Sequence, residues 1–146
     1  SSHTIFRVST DNLRTRMTET TFQVKVKGDF TNEEWAGTFK MKIRLSYRET
    51  LRQDQLRREL LGPDPANNAS EDARGIAQVF SFLAVYITQA PTWWAETNGG
   101  LDMEDNNVAP AVYEKAVARL AEVIAERNKA AEDARKALDK EASKPE

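Results

Sequence analysis

The chain has 146 residues, a formal net charge of −2, 40% hydrophobic residues and 30% charged residues. These values are typical of one globular domain and argue against a disordered chain. The absence of cysteine excludes disulfides, thiolate metal sites and a cysteine nucleophile, and it fits a reducing compartment. No apolar run reaches the roughly 20 residues that a bilayer span requires, so we expect a soluble intracellular protein.

Charge is unevenly distributed along the chain. Residues 1–62 carry more basic than acidic side chains, and residues 63–146 carry more acidic ones. This asymmetry suits charge-steered protein contacts or head-to-tail self-association, and two ordinary solvated faces account for it as well.

Three segments follow from the patterns along the chain. Residues 1–16 show no sustained period, and we expect them to be a flexible tail or a non-native remnant before a natural start at Met17. Residues 17–125 are predicted to form a single α+β domain, in which an antiparallel β-hairpin packs on three or four helices. Residues 126–146 are predicted to be a projecting charged helix and tail.

The hairpin prediction rests on two alternating segments. Phe22, Val24 and Val26 occupy every second position of the first segment, which is typical of a half-buried strand. The second segment repeats the pattern with Phe39, Met41, Ile43 and Leu45. The opposite face of both strands is basic and contains Lys25, Lys27, Lys40, Lys42 and Arg44.

We interpret this basic face as solvated or facing a protein partner, with Lys40, Lys42 and Arg44 as contact residues. Nucleic-acid binding is the weaker alternative, because stacking aromatic residues are not interleaved with these cations. An open strand edge also predicts self-association of the hairpin, and so a homo-oligomer.

Two helices are predicted after the hairpin. Ser46 and Glu49 form a capping-box pattern, and Gly62 stops the first helix after Leu61. The second helix, over residues 69–89 with Asn68 as a further cap, is apolar on most sides. We therefore expect it to be the centre of the core, with these two side chains almost fully buried: Phe80 and Leu83.

The last helix is predicted to begin after Asn107 as its cap and to continue to Ala142. Its predicted inward face contains Tyr113, Val117, Leu120 and Ile124. Beyond this face the apolar stripe continues only as Ala131, Ala134 and Leu138, which favours a projecting helix available for pairing with a partner helix.

The adjacent Trp93 and Trp94 follow Pro91 in a short turn. Neighbouring residues of a helix point about 100° apart, so both rings are buried only at a junction of elements. Sealing of such a junction is one interpretation. The other is an anchor for a partner, since tryptophan is enriched among interface hot spots.

No catalytic centre, cofactor site or metal site is predicted. His3 is the only histidine, which disfavours a histidine-based triad, a zinc site of several histidines and a histidine base. The acidic spacing at Asp102 and Glu104 resembles the start of a calcium loop, but Asn107 and Tyr113 occupy its glycine and acidic positions. A hydrolase that uses only carboxylates is the weakest hypothesis.

Several motifs in order resemble a known family. They are GTFKMKIRL at residues 37–45, DQLRRELLGPDP at 54–65, APTWW at 90–94, NGGLDMEDNNV at 98–108 and VYEKA at 112–116. Residues 22–118 resemble the tail assembly chaperones, or tail accessory proteins, of long-tailed bacteriophages. The resemblance implies a protein made in the cytoplasm of an infected bacterium that coats the tape-measure protein and recruits tail-tube subunits. It also implies absence from the finished particle, but no residue-level binding map.

A structural component of the virion, such as a tail or connector subunit, is the alternative. Such a protein remains in the particle, whereas a chaperone leaves it. Neither role requires an enzyme, a nucleic acid or a membrane.

Overall fold

The computed structural model describes residues 18–63 and 69–143, so the predicted segment 1–16 lies outside the described residues. Strands β1 (Glu19–Lys27) and β2 (Glu34–Lys42) form the predicted antiparallel hairpin. A short third strand, β3 (Ile87–Gln89), pairs with β2 near Lys40 and Met41, which gives a sheet in the order β1-β2-β3.

Four helices accompany the sheet in the described part of the chain. They are α1 (Tyr47–Leu61), α2 (Glu71–Tyr86), α3 (Thr92–Glu96) and α4 (Val108–Ala142). The predicted α+β class is therefore confirmed. Strand β3 corrects the prediction that the second long helix continues to residue 89, since β2 draws residues 87–89 into the sheet.

The predicted signals at the ends of α1 are present. The amide of Glu49 donates to the Ser46 hydroxyl at 3.2 Å, and the Ser46 amide donates to the Glu49 carboxylate at 2.9 Å. Gly62 ends the helix with a φ of +91°, a conformation that favours glycine. Helix α2 is capped by Ser70, and the predicted cap Asn68 lies outside the described residues.

The core lies between one face of the sheet and helices α2 and α4. The alternation on the strands predicted this face correctly, because Phe22, Val24, Phe39 and Met41 are buried. The rings of Phe22 and Phe39 stack across the β1–β2 pair with centroids 5.2 Å apart. Burial of such rings is the main source of stability in a domain of this size.

The orientation of α2 differs from the prediction. Leu83 is fully buried as expected, but Phe80 is only half-buried and the side chain of Ile76 is 54% exposed. The buried positions of the helix are Ala77, Ser81, Phe82, Leu83 and Val85. A helix that is apolar on most sides does not determine which stripe faces the sheet, and here one apolar stripe remains open to solvent.

Helix α4 is turned by one residue, about 100°, relative to the prediction. Val112, Ala116 and Val123 are buried against the domain, whereas Val117 and Ile124 are exposed. Helix α4 packs along β1, and Ala116 is fully buried on its inward side. The predicted Tyr113 and Leu120 are half-buried at the border of this contact.

Candidate functional site

The loop before α4 is joined to the hairpin loop by one buried carboxylate, that of Asp105. Its Oδ1 accepts hydrogen bonds from the amides of Phe30 at 2.9 Å and Thr31 at 2.8 Å. Its Oδ2 accepts from the Thr31 hydroxyl at 2.6 Å and from the Trp35 indole at 2.8 Å. Both oxygens are thus satisfied by groups about 70 residues away in sequence.

These contacts determine the ionisation of Asp105. Burial raises the pKa of this carboxyl, but the hydrogen bonds from Thr31, Trp35 and Phe30 outweigh it and hold the pKa well below its ordinary value of 3.8. Asp105 is therefore ionised at neutral pH.

Across residues 18–63 and 69–143, no group of three or more acidic or histidine side chains is arranged to hold a metal ion.

Asn107 and Gly28 complete this contact between the two loops. The Asn107 amide group donates to the Lys27 carbonyl at 2.8 Å and accepts from the Asp29 amide at 3.0 Å. The predicted role of the Asn107 side chain as a helix cap is wrong, because α4 begins there without a side-chain capping bond. A Cβ atom on Gly28 would lie 2.1 Å from Oδ2 of Asp105, so the loops meet where only glycine fits.

The two predicted tryptophan anchors differ in their exposure. The Trp94 ring is buried, edge-on to Phe39 with centroids 5.4 Å apart. The half-buried Trp93 donates from its indole nitrogen to the Ala36 carbonyl at 2.9 Å and so closes the part of β2 that β3 leaves open. The buried Trp94 fits the interpretation that the pair seals a junction of elements, and the role of the half-buried Trp93 as a partner anchor stays a prediction.

The predicted cationic strand face is largely neutralised. Lys40 pairs with Glu19 at 3.3 Å, and Lys42 forms an ion pair with Glu49. Lys25 pairs with Glu34 at 3.3 Å, and Arg44 is exposed. The sequence pattern drew attention to the lysines alone, whereas the register of the hairpin and the first turn of α1 bring the acidic partners beside them.

The described part of the chain contains an apolar cleft of about 670 Å³ between α2 and the loop before α4. One wall contains Ile76, Val79 and Phe80, and the other is formed by Leu101, Met103 and Ala109. Gly75 leaves the α2 wall open, because a Cβ atom there would meet nothing within 4 Å. Glu71 and Asp72 border the cleft at the start of α2 and make this end acidic.

This cleft was not predicted, because its α2 side chains were assigned to the core. The signal that could have revealed it is the excess of apolar positions on α2, since one helix rarely buries every face in a small domain. Its lining is mostly apolar, with polar side chains such as Glu71 and Asp72 at one end, a chemistry suited to the apolar side chains of a polypeptide.

The predicted arm residues lie where the sequence places them along α4. Val123 is the last buried residue, and residues 124–143 are all exposed. Ala131, Ala134 and Leu138 therefore lie on a helical segment that extends about 30 Å past the domain. Among residues 18–63 and 69–143, none of the helices has an apolar stretch that could span a bilayer.

Comparison of the chain with protein-family models, curated proteins and solved structures finds no significant match. Within the described residues, the cleft and the exposed end of α4 are two surfaces that a partner could cover.

Proposed function

We propose that this protein is a tail assembly chaperone-like protein of a long-tailed bacteriophage, which binds a helical segment of the tape-measure protein or tail-tube subunits during assembly. The observation that supports this most is the open apolar cleft beside α2. Ile76 and Leu101 are exposed on its two sides, at 54% and 47%. Apolar surface concentrated in a concave site is unfavourable in water and favours coverage by a partner.

The shape and charge of the cleft favour an amphipathic helix as the bound segment. A helix presents side chains at i, i+3, i+4 and i+7 on one face, and such a row fits between a helix wall and a loop wall. The acidic side chains of Glu71 and Asp72 favour basic residues beside that row. In this role the protein shields apolar segments of its partner in the cytoplasm of the infected host and needs no chemistry of its own.

Co-expression with the tape-measure protein from the same genome tests the proposal. We expect the wild-type chain to co-purify with the tape-measure protein and keep it soluble. The Ile76→Asp variant should no longer co-purify with the tape-measure protein. Tyr47→Asp is the matched control, because Tyr47 is 93% exposed on α1, outside the cleft. Equal capture by Ile76→Asp and the wild type would exclude the cleft as the binding site.

Mass spectrometry of purified particles separates the chaperone from a structural subunit. A chaperone is absent from the finished particle, whereas stoichiometric presence would assign the chain to the virion as a tail or connector component.

A further inference from the structure

We infer that α4 pairs with α4 of a second copy of this chain in an antiparallel two-stranded coiled coil. Three exposed side chains lie on one face of the helix. Val117, Ile124 and Leu138 are 40%, 44% and 66% exposed, although each is large and apolar. Successive residues of this set lie seven or fourteen positions apart, and Ala131 fills the remaining position of the series. A seven-residue repeat of apolar residues is the sequence feature that produces a coiled-coil seam.

The seam runs from the half of α4 that packs on the domain into the exposed half, residues 124–142, with Arg127 and Glu141 at two of its positions. Leu120 and Ala134 lie three residues after Val117 and Ala131, which is the second apolar position of a heptad. Val117 is exposed although its neighbour Ala116 is fully buried. A second helix can therefore reach the docked half of the seam without displacing α4 from β1.

The sizes of the seam residues favour an antiparallel arrangement. The docked half carries Leu120 and Ile124, and the free half carries Ala131 and Ala134 before Leu138. Reversing the second copy places Ile124 opposite its Ala134, so that a large side chain fills the space left by a small one, and it places Leu120 opposite its Leu138. A parallel pair would leave alanine against alanine and would face Arg127 with Arg127 of the other copy.

The borders of the seam favour a second copy as the occupant. One border consists of Val123, Ala130 and Ala137, and the other includes Ala121, Asn128 and Arg135. In the antiparallel register, Arg135 lies beside Ala121 of the second copy, and the two Asn128 residues lie together. No like charges therefore meet along the borders, and the small side chains allow the helices to approach closely.

This inference does not depend on the proposed function. The pairing surface on α4 is separate from the cleft, whose α4 residues, Ala109 and Pro110, lie at the start of the helix. A dimer of this form would carry two clefts, which would raise the apparent affinity for a partner that offers two segments.

Cysteine cross-linking tests the register, because the full chain contains no cysteine of its own. Under mild oxidation we expect Ile124→Cys/Ala134→Cys to form a covalent dimer on a non-reducing gel, and each single variant to remain monomeric. Cross-linking of Ile124→Cys alone would show a parallel pair and overturn the antiparallel register. Absence of any cross-link in the double variant would contradict the pairing.

Sedimentation velocity of the full chain tests the seam independently. We expect a dimer for the wild type and at least tenfold weaker association for Leu138→Asp, because a carboxylate would enter the apolar seam. Ala125→Asp is the matched control, since it introduces the same charge on α4 outside the seam and should leave association unchanged. A monomeric wild type at high micromolar concentration would overturn the inference, and so would equal effects of the two substitutions. The Leu138→Asp variant should still bind the partner in its cleft. Loss of self-association can therefore be distinguished from a failure of the proposed function.

Discussion

At the scale of single residues, the contact between the hairpin loop and the start of α4 depends on Asp105. Four donors from residues 30–35 surround its carboxylate, and Gly28 provides the space in which it lies. A buried carboxylate with hydrogen bonds to both oxygens is stable as an ion, because the donors replace the water it has lost. The same loop carries Leu101 and Met103, which line the cleft.

Asp105→Asn should lower the melting temperature by several degrees at pH 7, because the amide NH2 would face a hydroxyl or indole donor. Since the folded state holds the pKa of Asp105 below 3.8, its ionisation stabilises the fold fully above that pH. That stabilisation is lost as the pH falls below 3.8 towards the lower pKa of the folded state. In thermal melts from pH 7 to 2, the melting temperatures of the wild type and of Asp105→Asn should therefore converge as the pH falls. Glu104 is exposed, so the melting temperature of Glu104→Gln should change with pH in the same way as that of the wild type.

Gly28→Ala and Gly75→Ala should have opposite effects on stability. At Gly28 the new methyl group would overlap the Asp105 carboxylate, and the free energy of unfolding should fall by roughly 1–3 kcal/mol. At Gly75, inside α2, the methyl group enters open space. The better helix propensity of alanine should therefore raise the free energy of unfolding by roughly 0.5–1 kcal/mol. Urea unfolding measures both, and equal effects at the two sites would contradict the described packing.

At the scale of the elements, α2 has two roles on two faces. Leu83 is fully buried in the core, whereas Ile76 is mostly exposed beside the cleft. Leu83→Ala should lower the free energy of unfolding by about 2–5 kcal/mol through cavity formation. Ile76→Ala should change it by less than about 1 kcal/mol, as a surface substitution does. Similar losses for both variants in urea unfolding would show that the helix is oriented differently.

The free end of α4 gives a prediction about the limits of the domain. Because no side chain from residue 124 to 143 is buried, deleting residues 127–146 should leave the melting temperature nearly unchanged at low protein concentration. The same deletion should abolish self-association, since it removes Ala131, Ala134 and Leu138. Thermal unfolding and sedimentation of the truncated chain measure the two properties separately. A large fall in melting temperature would mean that this segment contributes to the core.

The sequence was sufficient for the features that local patterns determine. The period of two predicted β1 and β2 with their buried faces, and Ser46, Glu49 and Gly62 predicted the ends of α1. Which face of α2 or α4 is buried was not predictable, because both helices have apolar residues on more than one side. The Asp105 contact and the short β3 were missed as well, since each requires a partner distant in sequence.

At the scale of the whole molecule, the cleft and the α4 seam are two separate apolar surfaces with different expected occupants. The cleft is acidic at one end and suits a helical segment of another protein, whereas the seam is complementary to itself. Because the two surfaces are separate, the chain can self-associate through the seam while the cleft stays open. We propose that the cleft, and not the seam, binds the partner in tail assembly.

Binding of the tape-measure protein to the Gly75→Ala and Gly75→Leu variants tests this claim most directly. Both substitutions replace glycine in α2 by a better helix former, but only leucine extends into the cleft. Affinity measured by titration calorimetry or fluorescence should be unchanged for Gly75→Ala and at least tenfold weaker for Gly75→Leu, a loss of about 1.4 kcal/mol or more. Equal affinity of the two variants would contradict the assignment of the cleft as the partner site.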